Sequence, residues 1–110
     1  MEINKETEAQ IQELQMIEQT LQSVLMQKQA FQMESTEVEN ALEELSKSSE
    51  EVFKIVGNIM IKAKKEDLLK DLKHKKELID LRLKNIDSQE KQISEKSEKL
   101  REKVLSKIQK

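Results

Sequence analysis

Apolar residues recur along this chain in steps of three and four, with one interruption. From about Lys5 to Leu45, a single heptad frame sets Leu14, Leu21, Lys28, Ser35 and Leu42 at the a positions and Ile17, Val24, Phe31, Val38 and Leu45 at the d positions. From about Glu66 to Gln109, a second frame sets Leu69, Lys76, Leu83, Glu90, Ser97 and Val104 at a and Leu72, Ile79, Ile86, Ile93, Leu100 and Lys107 at d. Most of these positions are apolar over more than four heptads, which is a strong coiled-coil signal. Each segment predicts a helix with one narrow apolar stripe. Neither helix can bury its stripe alone, so each needs a partner.

The interruption has its own pattern. Ser46-Lys47-Ser48-Ser49 lacks periodicity and predicts a loop over 46–51. Val52-Phe53-Lys54-Ile55-Val56 and Ile59-Met60-Ile61-Lys62-Ala63 are two β-branched runs around Gly57-Asn58, a two-residue hairpin signal. Gly57 supplies the positive φ that such a turn needs. The chain is therefore expected to be mainly α: helix one over 5–45, the hairpin over 52–63 and helix two over 65–109, in a single domain spanning 1–110. The hairpin turns the second helix back along the first, giving a long antiparallel two-helix coiled coil. An isolated two-stranded hairpin is marginal in water, and Val52, Phe53, Ile55, Val56, Ile59, Met60 and Ile61 put apolar side chains on both of its faces. Two readings follow. The hairpin folds down onto its own helices, or it adds to sheets of other subunits, which would satisfy both edges and both faces.

Composition narrows the function. The 110 residues include no Cys, Pro or Trp, one Gly and 2% aromatics, so a thick globular core is excluded. The absence of Cys removes disulfides and Cys-based zinc sites and fits a reducing compartment. No apolar run approaches a membrane span, and the start MEINKETEAQ lacks the basic and apolar regions of a signal peptide. A cytoplasmic protein is expected. His74 is alone, with no Ser, Cys or Asp placed as a triad requires, and Gly57 is too isolated for a phosphate loop. No enzyme activity, metal or cofactor is expected. Residues 1–63 carry a net −7 and residues 64–110 a net +5, which favours pairing of the halves with each other. A basic nucleic-acid-binding arm is the competing reading. The basic residues are interleaved with acids, however, as in Glu66–Lys70, Asp80–Lys84, Asp87–Lys91 and Glu95–Lys99, the usual spacing on a solvated helix face.

The polar breaks in the stripes are informative. With the hairpin folded about Gly57-Asn58, residues whose numbers sum to about 114 lie opposite, which sets Lys28 one layer from Glu90. A Lys–Glu contact that fixes register and a locally loose, hydrated coil are both compatible with this. Near the chain ends Thr7, Gln10, Ser97 and Lys107 occupy core positions, while Ile11, Met16, Leu105 and Ile108 lie off the stripe. This predicts a partly open end, read either as an adaptable apolar binding surface or as ordinary fraying.

Helix, single hairpin and helix in this length resembles the β-class prefoldin subunits, specifically an archaeal one. The stretch Glu51-Val52-Phe53-Lys54-Ile55-Val56-Gly57-Asn58-Ile59-Met60-Ile61-Lys62 is similar to that family's hairpin, and Leu81-Arg82-Leu83-Lys84 followed by Gln89-Glu90 to its second helix. Gln27-Lys28-Gln29 and Ala41-Leu42-Glu43-Glu44-Leu45 resemble its first helix. Helix two departs by starting at Ala63-Lys64-Lys65-Glu66 without a Ser, Thr or Asp cap. The resemblance implies a hexamer of two α-class and four β-class subunits. Hairpins, here Val52, Phe53, Ile55, Val56, Gly57, Ile59, Met60 and Ile61, form an intersubunit β-barrel. It implies an ATP-independent chaperone that holds unfolded client proteins at the coiled-coil tips, here Ile3, Ile11, Met16, Leu100, Val104, Leu105 and Ile108, and passes them to a group II chaperonin. A structural coiled-coil adaptor that holds no client is the alternative.

Overall fold

A computed structural model of the chain describes residues 4–48 and 51–108. In order, it contains α1 (Lys5–Lys47), β1 (Val52–Val56), β2 (Ile59–Ala63) and α2 (Lys65–Ile108). These elements fall into two compact units, one built from the residues up to Gln29 together with those from Lys84 onward, the other from Ala30–Leu83.

Helix α1 starts at a cap. The Asn4 side-chain oxygen accepts from the Thr7 backbone N–H at 2.7 Å, and the Asn4 carbonyl accepts from Glu8 N–H at 3.0 Å, so Asn4 fills the N-cap role. At its other end α1 runs two residues past the expected Leu45. Lys47 pairs with Glu43 one turn earlier at 3.1 Å, and its positive charge suits the carbonyl end of a helix. The Ser46 hydroxyl donates to the Glu43 carbonyl at 2.7 Å, so the serines expected to open a loop instead complete the last turn. Helix α2 begins without a side-chain cap. Lys65 at its first position donates instead to the Ser48 carbonyl at 2.6 Å, satisfying an acceptor at the end of α1.

In the unit that holds the hairpin, α1 and α2 run antiparallel. Val38, Leu45 and Ile79 are buried there, and Ile79 is only 2% exposed. Glu34 reaches Lys75 at 3.5 Å and Glu39 reaches Lys76 at 3.0 Å. The Arg82 guanidinium lies 5.6 Å from the centre of the Phe31 ring, which combines cation–π attraction with cover for a d-position aromatic. In the other unit the helices are again antiparallel, with Val24, Ile86 and Val104 buried. All ten a and d positions of helix one are at least partly covered, so the heptad frame matches the fold.

The hairpin is a two-stranded antiparallel sheet in which Val52 faces Ala63, Phe53 Lys62, Lys54 Ile61, Ile55 Met60 and Val56 Ile59. Gly57 has φ of +62°, and among the described residues no other residue has positive φ. A turn with positive φ only at its first central residue is type II′, whose twist suits a two-residue hairpin. A Cβ at Gly57 would meet nothing within 4 Å, so the glycine is needed for its φ and not for space.

Candidate interaction surfaces

The pairing register sorts the hairpin side chains. Val52, Lys54, Val56, Ile59, Ile61 and Ala63 share one face; Phe53, Ile55, Met60 and Lys62 share the other. Only the root is partly covered, at Val52 and Ala63. Phe53 is 51% exposed, Ile55 70%, Val56 54%, Ile59 65%, Met60 66% and Ile61 42%. The hairpin therefore does not fold down onto its own helices, and each strand keeps one unpaired edge. At the root, a groove of about 520 Å³ is lined by Ala41, Leu45, Val52, Phe53, Leu68 and Leu72. Glu51 and Lys62 form an exposed ion pair at 2.8 Å beside it. An apolar sheet with open edges is a site for strand addition.

The expected tip residues that the structure describes lie in the other unit and differ in exposure. Met16 and Leu105 are open, at 68% and 46% exposure. Ile11, Leu100 and Ile108 are half-buried. Val104 is 5% exposed and belongs to the helix–helix seam, so it is withdrawn from the binding set. Ile3 lies outside the described residues.

The expectation of a partly open end is corrected at two of its four positions. Thr7 and Ser97 are 3% and 6% exposed, so the seam is closed there, while Gln10 is half-buried and Lys107 exposed. The Thr7 and Ser97 side chains are small enough to fit between the helices, and among the described residues no buried side-chain polar atom lacks a hydrogen-bond partner. Lys107 crosses over to α1 beside Thr7. Its Nζ lies 3.3 Å from a Glu6 carboxylate oxygen and 3.3 Å from Gln10 Oε1.

The break at Lys28 resolves as a charge cluster. Lys28 Nζ lies 2.9 Å from Asp87 Oδ1 and 3.0 Å from Glu90 Oε2. The hydrogen bond to Asp87, then the one to Glu90, holds its pKa above the ordinary 10.5, against a smaller opposing effect of desolvation. Lys76 is raised in the same way by its hydrogen bond to Glu39. The Asp87–Lys91 spacing suggested a pair along one helix, but Asp87 reaches across to α1 instead.

Sequence reasoning passed over Met26 and Met33, which are 71% and 66% exposed, and Leu78 and Leu81, which are 42% and 56% exposed. The heptad frame contained the signal, because Met26, Met33 and Leu81 occupy f, the position farthest from the seam. Among the described residues no three His, Cys, Asp or Glu side chains are placed to hold a metal, and no helix is long and apolar enough to cross a membrane.

Comparison with known proteins agrees with this geometry. The sequence model of the family described as "Prefoldin subunit" matches residues 8–110. The chain is 38% identical to the prefoldin subunit beta of Archaeoglobus fulgidus over 96 residues, covering 86% of this chain and 83% of that protein. It is 38% identical to the prefoldin subunit beta of Thermococcus onnurineus over 104 residues, covering 93% and 90%. The crystal structure of the prefoldin beta subunit from Thermococcus strain KS-1 superimposes with a TM-score of 0.87 at 34% identity, covering 96% of this chain and 94% of that one.

Proposed function

The chain belongs to the prefoldin subunit family, and from that footing we propose that it is the β-class subunit of an ATP-independent holdase. Its hairpin joins those of α-class subunits and of further copies in an α2β4 hexamer built around a β-barrel. The carrying observation is the hairpin itself: six apolar side chains between 42% and 70% exposed, on both faces of a sheet with open edges. That surface is costly on a lone chain and useful on a subunit. The coiled coils then hold unfolded client proteins through Met16 and Leu105, with Ile11, Leu100 and Ile108 at their margins. They release clients to a group II chaperonin in the cytoplasm. An unfolded client offers apolar segments of no fixed sequence, which suits scattered, adaptable contacts. Each contact is weak, and several subunits on one assembly raise the effective concentration.

The structural adaptor reading draws support from the closed seam at Thr7 and Ser97, which leaves fewer open apolar side chains than an open end would. Aggregation suppression separates the two. The chain, assembled with an α-class subunit, is titrated against a chemically unfolded, aggregating protein. A holdase suppresses light scattering, and replacing Met16, Leu105 and Ile108 together with Ser weakens that suppression without changing assembly mass. An assembly of correct mass that gives no suppression points to the adaptor. Val104→Ser serves as a control, because its effect should be on helix pairing rather than on an exposed surface.

A further inference from the structure

Lys28 occupies a seam position where an aliphatic side chain would bury more apolar surface. Its neighbours in the seam, Val24 and Ile86, are 7% and 5% exposed. The cluster it forms differs from the other cross-helix ion pairs. The Lys28 and Glu90 side chains are 27% and 30% exposed, and Asp87, at 59%, reaches in to Lys28 from the rim. By contrast, Glu18–Arg101 and Glu6–Lys107 have side chains exposed by 45% and 54%, and by 73% and 36%. Those are rim pairs, and exposed pairs contribute little. Lys28 also stands alone in its own helix: between Glu18 and Glu34 it is the one charged residue of α1. Over that stretch nothing else on α1 signals by charge which partner, and which register, is correct.

We propose that Lys28, with Asp87 and Glu90, is a pairing selector that fixes both the register of α1 against α2 and the choice of α2 over a like helix from a second copy. The register argument follows from the heptads. Sliding α2 by one heptad replaces Asp87 and Glu90 opposite Lys28 with Asp80 and Leu83 in one direction, or with Ser94 and Ser97 in the other. Neither slip gives Lys28 two carboxylates, and both take Glu90 away from its cation. The partner argument follows from charge. In a parallel pair of α1 helices, Lys28 meets its own counterpart in one seam layer. In a parallel pair of α2 helices, Glu90 meets its counterpart. Like charges in a half-covered layer repel, whereas the α1–α2 pair neutralises both. A polar residue at a single a position is an effective way to specify register and partner, at a cost in stability.

The chain contains no cysteine, so introduced cysteines report pairing without interference. Leu21→Cys alone reports like-helix pairing of α1, through a disulfide-linked dimer. Leu21→Cys with Ile93→Cys reports the α1–α2 register, through an intrachain disulfide, because the frame sets these two positions opposite. Each reporter is combined with Lys28→Leu and with the charge-exchanged triple K28E, D87K, E90K, and each chain is oxidised mildly and sized. With Lys28 present, the intrachain disulfide should form and the dimer should not. With K28L, the dimer should appear and the intrachain yield should fall, while the melting temperature holds or rises. The charge-exchanged triple should behave like the parent. If K28L keeps the intrachain disulfide as its sole product, the hairpin tether alone sets pairing and the proposal is wrong. A K28L chain that loses its helicity also overturns it, because the cluster would then be holding the fold and not choosing the partner.

Discussion

Replacing Ile55 and Ile59 together with Thr should separate assembly from folding. The two residues sit on opposite faces of the hairpin, and Thr keeps the branched Cβ that strands favour, so the hairpin itself should persist. In the single chain Ile55 and Ile59 remain 70% and 65% exposed. Full burial of an Ile side chain stabilises by about 1.5–3 kcal/mol. About two-thirds of that, on the order of 1–2 kcal/mol per residue, is therefore still to be gained when another surface covers them. Thr retains one methyl group and forfeits the larger part of this. The double variant should thus weaken association by about 1–3 kcal/mol per chain, a shift of roughly 5-fold to 150-fold in dissociation constant. In an assembly of several hairpins the losses accumulate. Sedimentation or light scattering over a dilution series, beside circular dichroism of the same samples, gives both quantities. Helicity should match the parent while the assembly mass falls. An unchanged mass at every dilution would show that the exposed hairpin is not the joining surface.

Three further outcomes follow from the structure. Ile79→Ala, at the most deeply buried position, should lower stability by about 2–5 kcal/mol through lost transfer energy and the cavity left behind, read by chemical denaturation. Gly57→Ala should destabilise the hairpin by about 1–2 kcal/mol because φ is +62° there, while a d-alanine at the same site in synthetic chain should not. The pKa values of Lys28 and Lys76 are raised above 10.5, so their ion pairs stabilise fully below that pH and the contribution is lost as pH climbs through the raised values. Melting temperature should therefore drop on the alkaline side more steeply in the parent than in a chain with Lys28 and Lys76 replaced by Met.

The elements that were legible in the sequence are those whose signal is local and periodic. The seam positions follow from spacing alone, and the turn follows from a glycine between two β-branched runs, because a two-residue connection of antiparallel strands demands positive φ. What escaped was chemistry carried by partners distant in sequence. Lys65 serving the Ser48 carbonyl and Asp87 choosing Lys28 over Lys91 need the second helix in place before they exist. Thr7 and Ser97 were misread for a different reason. A polar residue at a core position counts against the apolar pattern, so two of them predict an open end. Packing depends on volume as well as polarity, and a short hydroxyl side chain lets two helices close. Val104 was misassigned with them, since a closed end buries it.

The placement of polar and apolar groups is inverted relative to what would stabilise a lone chain. Leucine at positions 7, 28 and 97 would bury more apolar surface in the seam, and polar residues at 55, 59 and 60 would cost less in water. The chain instead puts two hydroxyl residues where water is excluded and a charge where it is half excluded, and isoleucine and methionine where water has free access. Apolar contact is strong but indiscriminate, whereas a half-covered charge is weak in net stability and selective in partner. A coiled coil that must choose α2 over a like helix therefore gains from polar seam residues. A hairpin that must join other hairpins gains from exposed apolar ones. The two tasks fall in different units of the chain, Lys28 with Asp87 and Glu90 in one and the hairpin in the other. Changing Lys28 should thus alter which helices pair and leave the joining surface intact, while changing Ile55 and Ile59 should do the reverse.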